Sequence, residues 1–246
     1  MYPFYNSATG KMVAGALREL VLSVWNAEAD NPLNKFAVVG EADFKKELLR
    51  KGLHLSSFWM VLFLYFYPPF LNAVFFGSLF VIGFSFEYGY HHEIKVFYPL
   101  YKVIFERMLR EKEKAGQKFI LSGGVWMLLA AFFCSILFTP ENAAIAFSIM
   151  LLSDTAASLA GKKFGKTKIC GNKSLQGSLA GLFIACLTVI IYGINFDFTF
   201  TDYAIGFVAA LGAVITELYT SKLKLDDNLS VTLVAGAIFS LRNFVF

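Results

Sequence analysis

Seven stretches of the chain are apolar and close to 20 residues long, which is roughly the length that an α-helix needs to cross a lipid bilayer. They are residues 55–71, 72–90, 119–138, 142–160, 178–194, 203–219 and 229–246. Hydrophobic residues make up 57% of the 246 positions and charged residues only 16%, a composition that excludes an ordinary soluble domain. The sequence therefore predicts an all-α polytopic membrane protein with about seven transmembrane helices.

The basic residues predict which side of the membrane each connecting segment faces. All of the 22 lysines and arginines except Arg242 lie in residues 1–54, 91–118, 161–177 and 220–228. Cytoplasmic segments of membrane proteins are enriched in these residues, so we expect the N-terminus inside and the C-terminus outside. The expected location is the cytoplasmic membrane, or the endoplasmic reticulum if the source is eukaryotic.

Two amphipathic helices are expected on the membrane surface, at residues 8–27 and 102–114. We place an N-terminal cytoplasmic segment at 1–43 and a membrane-embedded domain at 44–246. The first forty residues contain no uninterrupted apolar run, so no cleavable signal peptide is expected. The three cysteines have no C-x-x-C spacing and are interpreted as packing residues.

The most informative polar residue is Asp154, which interrupts an apolar segment. A carboxylate within a membrane span is costly to desolvate and usually has a function. On a helix, Asp154, Ser158 and Gly161 share one narrow face with small side chains. Glycines and lysines follow at once, so backbone amides and ammonium groups are available to bind an anion, at Gly161, Lys162, Lys163, Gly165, Lys166, Lys168 and Lys173. The pattern predicts a phosphate site beside a carboxylate.

The same lysine-rich stretch has a simpler interpretation, in which it only marks the cytoplasmic side of the membrane. The aspartate beside it favours the phosphate site instead. The stretch is not a Walker motif, because only three residues separate Gly161 from Gly165 and no strand precedes them.

A second cluster lies on a helix just before the first apolar stretch. Glu47, Arg50, Lys51 and His54 are spaced at i, i+3, i+4 and i+7, so their side chains share one face. This face is either part of a functional site or a solvated surface stabilised by a Glu47–Lys51 ion pair. Spacing alone leaves both interpretations open.

A third cluster lies near the C-terminus. Glu217 lies in the sixth apolar stretch, and Asp226, Asp227 and Asn228 follow it. Two carboxylates and an amide form a set of hard oxygen ligands that suits Mg²⁺. The alternative is that Asp227 or Asn228 only caps the last helix.

The three clusters, in this order, resemble the family of CTP-dependent lipid-alcohol kinases, which includes dolichol kinase, phytol kinase and the CTP-using diacylglycerol kinase. The matching motifs are E-x-x-R-K-x-x-H from Glu47, the run SDTAASLAGKKFGKTK followed by GNKSLQGS, the pair Thr216-Glu217, and D-D-N at 226–228. The resemblance covers residues 44–246. It implies transfer of the γ-phosphate of CTP to the hydroxyl of a lipid alcohol, with Mg²⁺ as cofactor.

The resemblance also implies roles for individual residues. Arg50, Lys51 and His54, with the lysines at 162–173 and Ser174, would bind the triphosphate. Asp154 would bind the metal or orient the lipid hydroxyl, and residues 226–228 would provide a second metal or nucleotide contact. Glu47, Ser158 and Glu217 would support them. The implied partners are CTP, a lipid alcohol and the bilayer, with no nucleic acid.

Two other functions remain open. Phosphatidate cytidylyltransferases have a similar aspartate-to-glycine stretch, but with an acid where this chain has Gln176, and they end in a P-G-H-G-G signature that is absent here. A transporter or a non-catalytic membrane protein is the second alternative. A transporter favours charged residues at the middle of the membrane, whereas the polar clusters of this chain lie at one side.

Overall fold

A computed structural model describes residues 39–94, 98, 101, 119–223 and 226–244 of the chain. The surface helices expected at 8–27 and 102–114 lie outside these residues. The predicted domain boundary after residue 43 therefore stays a prediction.

The first described helix is α1 (Val39–Ser56), followed by the short α2 (Trp59–Phe66) and by α3 (Pro69–His91). Helix α2 ends before Tyr67, whose backbone is extended (φ −104°, ψ 150°) because the residue before a proline avoids the helical region. Helix α3 then begins with Pro69 at its first position. The expected single span at 55–71 is therefore wrong in its extent, since α2 has only eight residues.

The next helices are α4 (Gly123–Leu137) and α5 (Pro140–Phe164), which lead into a two-stranded antiparallel hairpin of β1 (Lys168–Cys170) and β2 (Lys173–Ser174). Helices α6 (Leu175–Asn195), α7 (Phe200–Leu223) and α8 (Asp227–Ser240) come next, and a 3₁₀ turn (Leu241–Phe244) comes after them.

Four helices in the described parts of the chain are long and apolar enough to cross a membrane: α3, α5, α6 and residues Phe200–Thr220 of α7. Helix α4 is apolar but has 15 residues, and α8 has 14. The prediction of an all-α polytopic membrane protein is confirmed, with one short β-hairpin in addition. The count of seven spans is not confirmed.

Helix α5 lies at the centre of the described fold and packs against α2, α6 and α8. Two thirds (67%) of its most apolar window is buried, compared with 11% of the window in α3. Close packing against α6 depends on Gly177, where a Cβ atom would lie 2.6 Å from the carbonyl oxygen of Ala157. Asp154 is therefore located on the most enclosed helix, within three turns of its C-terminal end.

The segment 161–177 is not the simple loop that its glycines and lysines predict. Gly161, Lys162 and Lys163 still belong to α5, and the hairpin occupies most of the segment between α5 and α6. Gly171 has a positive φ of 54°, which lets the hairpin turn tightly. The Gln176 side chain accepts hydrogen bonds from the backbone N–H groups of Lys166 and Thr167, at 3.0 and 3.3 Å, and so holds the hairpin against the start of α6.

Candidate active site

An ion pair joins α1 to the centre of the fold. The ammonium group of Lys51 donates a hydrogen bond to Oδ2 of Asp154, and Lys51 is only 2% exposed. Nε2 of His54 lies 3.3 Å from the same carboxylate oxygen. A buried carboxylate needs a close opposite charge to remain ionised, and Lys51 provides it.

Glu47 connects the same face of α1 to the C-terminal end of α5. Its carboxylate accepts hydrogen bonds from Arg50 and from the hydroxyl of Ser158, and Nζ of Lys162 lies 3.2 Å away. The Glu47–Lys51 pair considered from the sequence is not formed, because Lys51 points to Asp154. The shared face of α1 is thus turned towards the protein rather than towards solvent.

A further ion pair joins the hairpin to α7. Lys173 on β2 contacts Glu217, which is 5% exposed. Next to Lys173, the hydroxyl of Ser174 accepts a hydrogen bond from the N–H of Gly177 at 3.2 Å and caps the N-terminus of α6.

The carboxylates of these ion pairs, Glu47, Asp154 and Glu217, line a cavity of about 430 Å³, which we call the polar cavity. Helices α1, α5, α6, α7 and α8 and the hairpin all contribute to it. Its lining residues are Glu47, Arg50, Asp154, Ala157, Ser158, Gly161, Lys162, Asn172, Lys173, Ser174, Gly177, Ser178, Glu217 and Asp227. Its lining side chains include three cations and four carboxylates, and its volume falls in the range of small-ligand sites.

The protein environment shifts the pKa values of several groups here that lie outside the candidate spans. Burial raises the pKa of Glu47, but hydrogen bonds from Arg50 and Ser158 outweigh burial and lower the pKa to about 2. Burial lowers the pKa of Lys173, yet its attraction to Glu217 outweighs this and raises the pKa. Burial also lowers the pKa of His54 to about 4, despite the nearby Asp154. His54 is therefore neutral at pH 7 and contributes no positive charge.

The structure brings together many, but not all, of the residues predicted from the sequence. Ten of them line the polar cavity: Glu47, Arg50, Asp154, Ser158, Gly161, Lys162, Lys173, Ser174, Glu217 and Asp227. Lys51 and His54 do not line the cavity, but both contact the carboxylate of Asp154. Four others are exposed and do not line the cavity, namely Lys163, Gly165, Lys166 and Lys168. Their role in phosphate binding stays a prediction.

The predicted metal set of residues 226–228 separates into three roles. Asp226 caps α8 by accepting a hydrogen bond from the N–H of Asn228 at 3.0 Å. The side-chain amide of Asn228 donates to the carbonyl oxygen of Gly123 at 3.3 Å. Only Asp227 lines the polar cavity. Capping was a correct expectation, but the capping residue is Asp226 rather than Asp227 or Asn228.

Among the described residues, no group of three or more His, Cys, Asp or Glu side chains is arranged to hold a metal ion. Mg²⁺ on a nucleotide, however, is commonly bound through one or two carboxylates together with phosphate oxygens. Asp154 and Asp227 both line the polar cavity, and Asp227 has no ion-pair partner among the described residues. This pair of carboxylates fits such a metal–nucleotide complex.

Sequence reasoning did not single out Asn172, Gly177 and Ser178, which also line the cavity. All three lie in the G-N-K-S-L-Q-G-S run around Lys173. Their position beside Lys173, a predicted phosphate ligand, could have identified them. Small residues next to a cation leave space for an anion, and amide groups donate hydrogen bonds to it.

A sequence profile described as the cytidylyltransferase family matches residues 46–226, which is most of the chain. This chain belongs to the cytidylyltransferase family. The match includes every lining residue of the polar cavity except Asp227, which comes directly after the matched region. No solved structure matches the chain.

Curated relatives of this family member include proteins named as lipid kinases. CTP-dependent diacylglycerol kinase 1 of Saccharomyces cerevisiae is 25% identical over 207 residues, 82% of this chain and 67% of that protein. Phytol kinase 1, chloroplastic, of Arabidopsis thaliana is 30% identical over 126 residues, 46% of this chain and 41% of that protein. An uncharacterized protein of Rickettsia prowazekii is 32% identical over 196 residues, 78% and 92% of the two chains. The predicted resemblance to CTP-dependent lipid kinases is confirmed.

Proposed function

We propose that this protein is an integral membrane lipid kinase that transfers the γ-phosphate of CTP to the hydroxyl of a lipid alcohol. The observation that carries the proposal is the polar cavity, in which Arg50, Lys162 and Lys173 lie beside Asp154 and Asp227. Cations that neutralise phosphate oxygens and a carboxylate that positions an acceptor are the main requirements of phosphoryl transfer. The names of the yeast and plant relatives support the same reaction.

The triphosphate would bind to the three lining cations. In the structure, each of them contacts a carboxylate: Arg50 and Lys162 contact Glu47, and Lys173 contacts Glu217. Phosphate oxygens would add to these contacts, and the carboxylates would keep the cations in position. Arg50 is suited to this role because its side chain is 37% exposed and its planar guanidinium binds two phosphate oxygens at once.

The acceptor hydroxyl would approach Asp154. The oxygen of the lipid hydroxyl forms a bond to the γ-phosphorus, the bond from that phosphorus to the bridging β–γ oxygen breaks, and CDP leaves. The hydroxyl proton passes to the Asp154 carboxylate or to water. Lys51, held behind Asp154 in the protein interior, keeps this carboxylate ionised and fixed in orientation. Mg²⁺, when bound with the nucleotide by Asp227 and Asp154, would neutralise charge on the phosphates.

The proposed acceptors are polyprenols such as dolichol, phytol-like isoprenoid alcohols and diacylglycerol. Purified protein in lipid nanodiscs, given γ-labelled CTP, Mg²⁺ and each of these alcohols separately, tests both acceptor and reaction. We expect label in at least one alcohol and none without an added acceptor. Label in no alcohol would contradict the proposal. The same assay with γ-labelled ATP tests the preference for CTP.

The family description itself points to the second candidate, a cytidylyltransferase that joins CMP to a phosphatidic acid and releases pyrophosphate. This candidate would use the same triphosphate contacts but a different acceptor. It predicts that phosphatidic acid, rather than an alcohol, consumes the nucleotide.

The polar cavity is proposed to open towards the cytoplasm, where the nucleotide is found. The basic-residue distribution supports this orientation, and single cysteines test it. In intact cells, a membrane-impermeant thiol reagent should label Asn195→Cys and not Lys166→Cys. Labelling of only Lys166→Cys would contradict a cytoplasmic site.

A further inference from the structure

A second cavity, of about 500 Å³, lies between α3 and α4. We call it the apolar cavity, because residues such as Met60, Leu79, Ile82, Val125 and Leu128 form most of its lining. It shares no lining residue with the polar cavity. Its volume and apolar lining are those of a site for a hydrophobic ligand.

One end of the apolar cavity is polar. The carboxylate of Glu87 is 4% exposed and accepts hydrogen bonds from the hydroxyl of Tyr101 at 2.8 Å and from the N–H of Ser122 at 2.9 Å. The Ser122 hydroxyl donates to it as well. A buried carboxylate in an apolar helix is costly, so these contacts indicate a defined polar end rather than a gap in the packing.

A separate apolar groove lies on the same pair of helices. The groove extends along α3 from Ala73 to Ile82 and is completed on α4 by Leu129 and Phe132. Ile82 lines both the cavity and the groove. Along the cavity, from Glu87 to Leu79, helix α3 rises about 12 Å, compared with the roughly 30 Å of the hydrocarbon core. The cavity alone has the polar end at Glu87, so we call the apolar cavity the track, and its volume is that of a site for a hydrophobic ligand.

The polar end of this track lies beside the polar cavity. Gly124 lines the track, and Asp227 lines the polar cavity. Their sequence neighbours are in direct contact, since Asn228 donates a hydrogen bond to the carbonyl oxygen of Gly123 at 3.3 Å. Ser57 also lines the track and comes directly after α1, the helix that contains Lys51 and His54.

We infer that the track between α3 and α4 binds the hydrocarbon chain of the lipid alcohol, with the hydroxyl leaving at the Glu87–Ser122 end towards Asp227 and Asp154. This inference rests on the proposed function and adds the binding site of the acceptor to it. An acyl or isoprenoid chain fits because the track is mostly apolar and is polar only at the end near the proposed phosphate-binding side chains. Glu87 is a positioning residue, which fixes Ser122 and the start of α4.

Gly124→Leu tests the track directly. A Cβ atom at Gly124 would meet only Ser122 Oγ, at 3.7 Å, so the backbone accepts a side chain there. Leucine is also a better helix former than glycine, and its side chain would occupy the polar end of the track. The matched control is Gly52→Leu on α1, where a Cβ atom meets nothing within 4 Å and which lines neither cavity.

We expect Gly124→Leu to reduce phosphate transfer to a long-chain alcohol at least about tenfold, which corresponds to about 1.4 kcal/mol. Transfer to a short-chain alcohol with the same head group should change by less than about threefold, because a short chain does not need the track. Gly52→Leu should match wild type with both acceptors. Equal losses with long and short acceptors, or no loss in Gly124→Leu, would overturn the inference.

Photo-crosslinking of the wild-type protein detects binding of the alcohol and requires neither phosphate transfer nor the Gly124→Leu variant. A long-chain alcohol with a diazirine on its chain, in nanodiscs without nucleotide, should label residues 79–87 and 124–128 of the wild type. Excess unlabelled alcohol should abolish this labelling, whereas excess phospholipid should not. Labels elsewhere, or labels that phospholipid displaces equally well, would identify the track as a site for bulk membrane lipid and overturn the inference.

The two assays distinguish this inference from the proposed function. Competable labels in the track without phosphate transfer to any alcohol would contradict the kinase and support an alcohol-binding site. Phosphate transfer by the wild type with labels outside the track would support the kinase and overturn the track.

Discussion

Helix α5 has polar side chains at both ends, and the surroundings of the two ends differ. At its N-terminal end, Glu141 pairs with Arg242 at 2.6 Å, and Asn142 donates a hydrogen bond to Ser240 at 3.2 Å. The Arg242 guanidinium lies over the rings of Phe198 and Phe239, 5.2 and 4.8 Å from their centroids. These two polar contacts, the ion pair and the hydrogen bond, join α5 to the 3₁₀ turn and to the last residue of α8.

At the C-terminal end, the polar residues surround space instead. Asp154, Ser158 and Gly161 line a cavity of about 430 Å³, although Asp154 also pairs with the buried Lys51 and Ser158 donates a hydrogen bond to the buried Glu47. Ion pairs that only connect helices do not need such a cavity. Similar residue types therefore connect helices at one end of α5 and line a cavity, the proposed ligand site, at the other.

The largest effect should come from Asp154→Asn, which removes the charge but keeps the shape of the side chain. We expect phosphate transfer to fall at least about 100-fold, because the acceptor hydroxyl loses its positioning carboxylate. The variant leaves the ammonium of Lys51 buried without its partner, so folding must be checked by size-exclusion chromatography. If it fails to fold, Asp154→Asn combined with Lys51→Met removes both charges and should fold yet remain inactive. Activity within about threefold of wild type would make Asp154 a packing residue like Asn142.

A smaller effect is expected from Arg50→Ala, measured as CTP affinity by calorimetry. The loss of one charge-assisted phosphate contact should weaken binding by about 1.5–3 kcal/mol, or roughly 10- to 150-fold. Lys45→Ala is the matched control, since Lys45 is exposed on α1 and lies outside the polar cavity. Equal weakening by both variants would indicate a diffuse electrostatic attraction rather than a site.

Asp227→Asn should weaken the binding of Mg²⁺ and not only that of the nucleotide. We expect the Mg²⁺ concentration for half-maximal activity to rise about tenfold, because one hard oxygen ligand loses its charge. Asp226→Asn should leave that concentration unchanged, since Asp226 caps α8 and asparagine caps nearly as well. A Mg²⁺ requirement that shifts with Asp226 and not with Asp227 would contradict the assignment of the two residues.

The smallest effect should come from the other end of α5. Arg242→Gln breaks the ion pair with Glu141, and a partly exposed pair of this kind contributes about 0–1 kcal/mol to stability. Thermal unfolding in detergent should show this loss, while phosphate transfer stays within about twofold of wild type. A large loss of transfer would show that the two ends of α5 are coupled.

Much of the site was visible in the sequence because its residues repeat at helical spacing. The face of Glu47, Arg50, Lys51 and His54 was predicted from the i, i+3, i+4, i+7 pattern, which depends only on local geometry. The partner of Lys51 was not predicted, because Asp154 is 103 positions away and only packing brings them together. The sequence alone therefore did not decide whether this face of α1 is a solvated surface or part of a site.

Other features could not be predicted because local signals competed. The lysines and glycines after Asp154 indicate a loop, yet packing of α6 on α5 extends the helix to Phe164. In the D-D-N run, three adjacent oxygen-bearing side chains indicate a metal site, whereas the helix that starts there directs only Asp227 into the cavity. Four of the phosphate ligands predicted after Asp154, namely Lys163, Gly165, Lys166 and Lys168, lie outside the cavity for a similar reason, since the chain from the end of α5 to the hairpin directs them to the surface.

The most direct test of the account is which phosphorus of CTP reaches the lipid. Purified wild-type protein is incubated in parallel with CTP labelled at the α or at the γ position, with Mg²⁺ and a mixture of polyprenol, phytol, diacylglycerol and phosphatidic acid. Asp154→Asn serves as the inactive control. For the proposed kinase reaction we expect γ label in a lipid phosphate, no α label in lipid, and release of CDP. Label from the α position in lipid, with the γ label in pyrophosphate, would contradict it and identify a cytidylyltransferase.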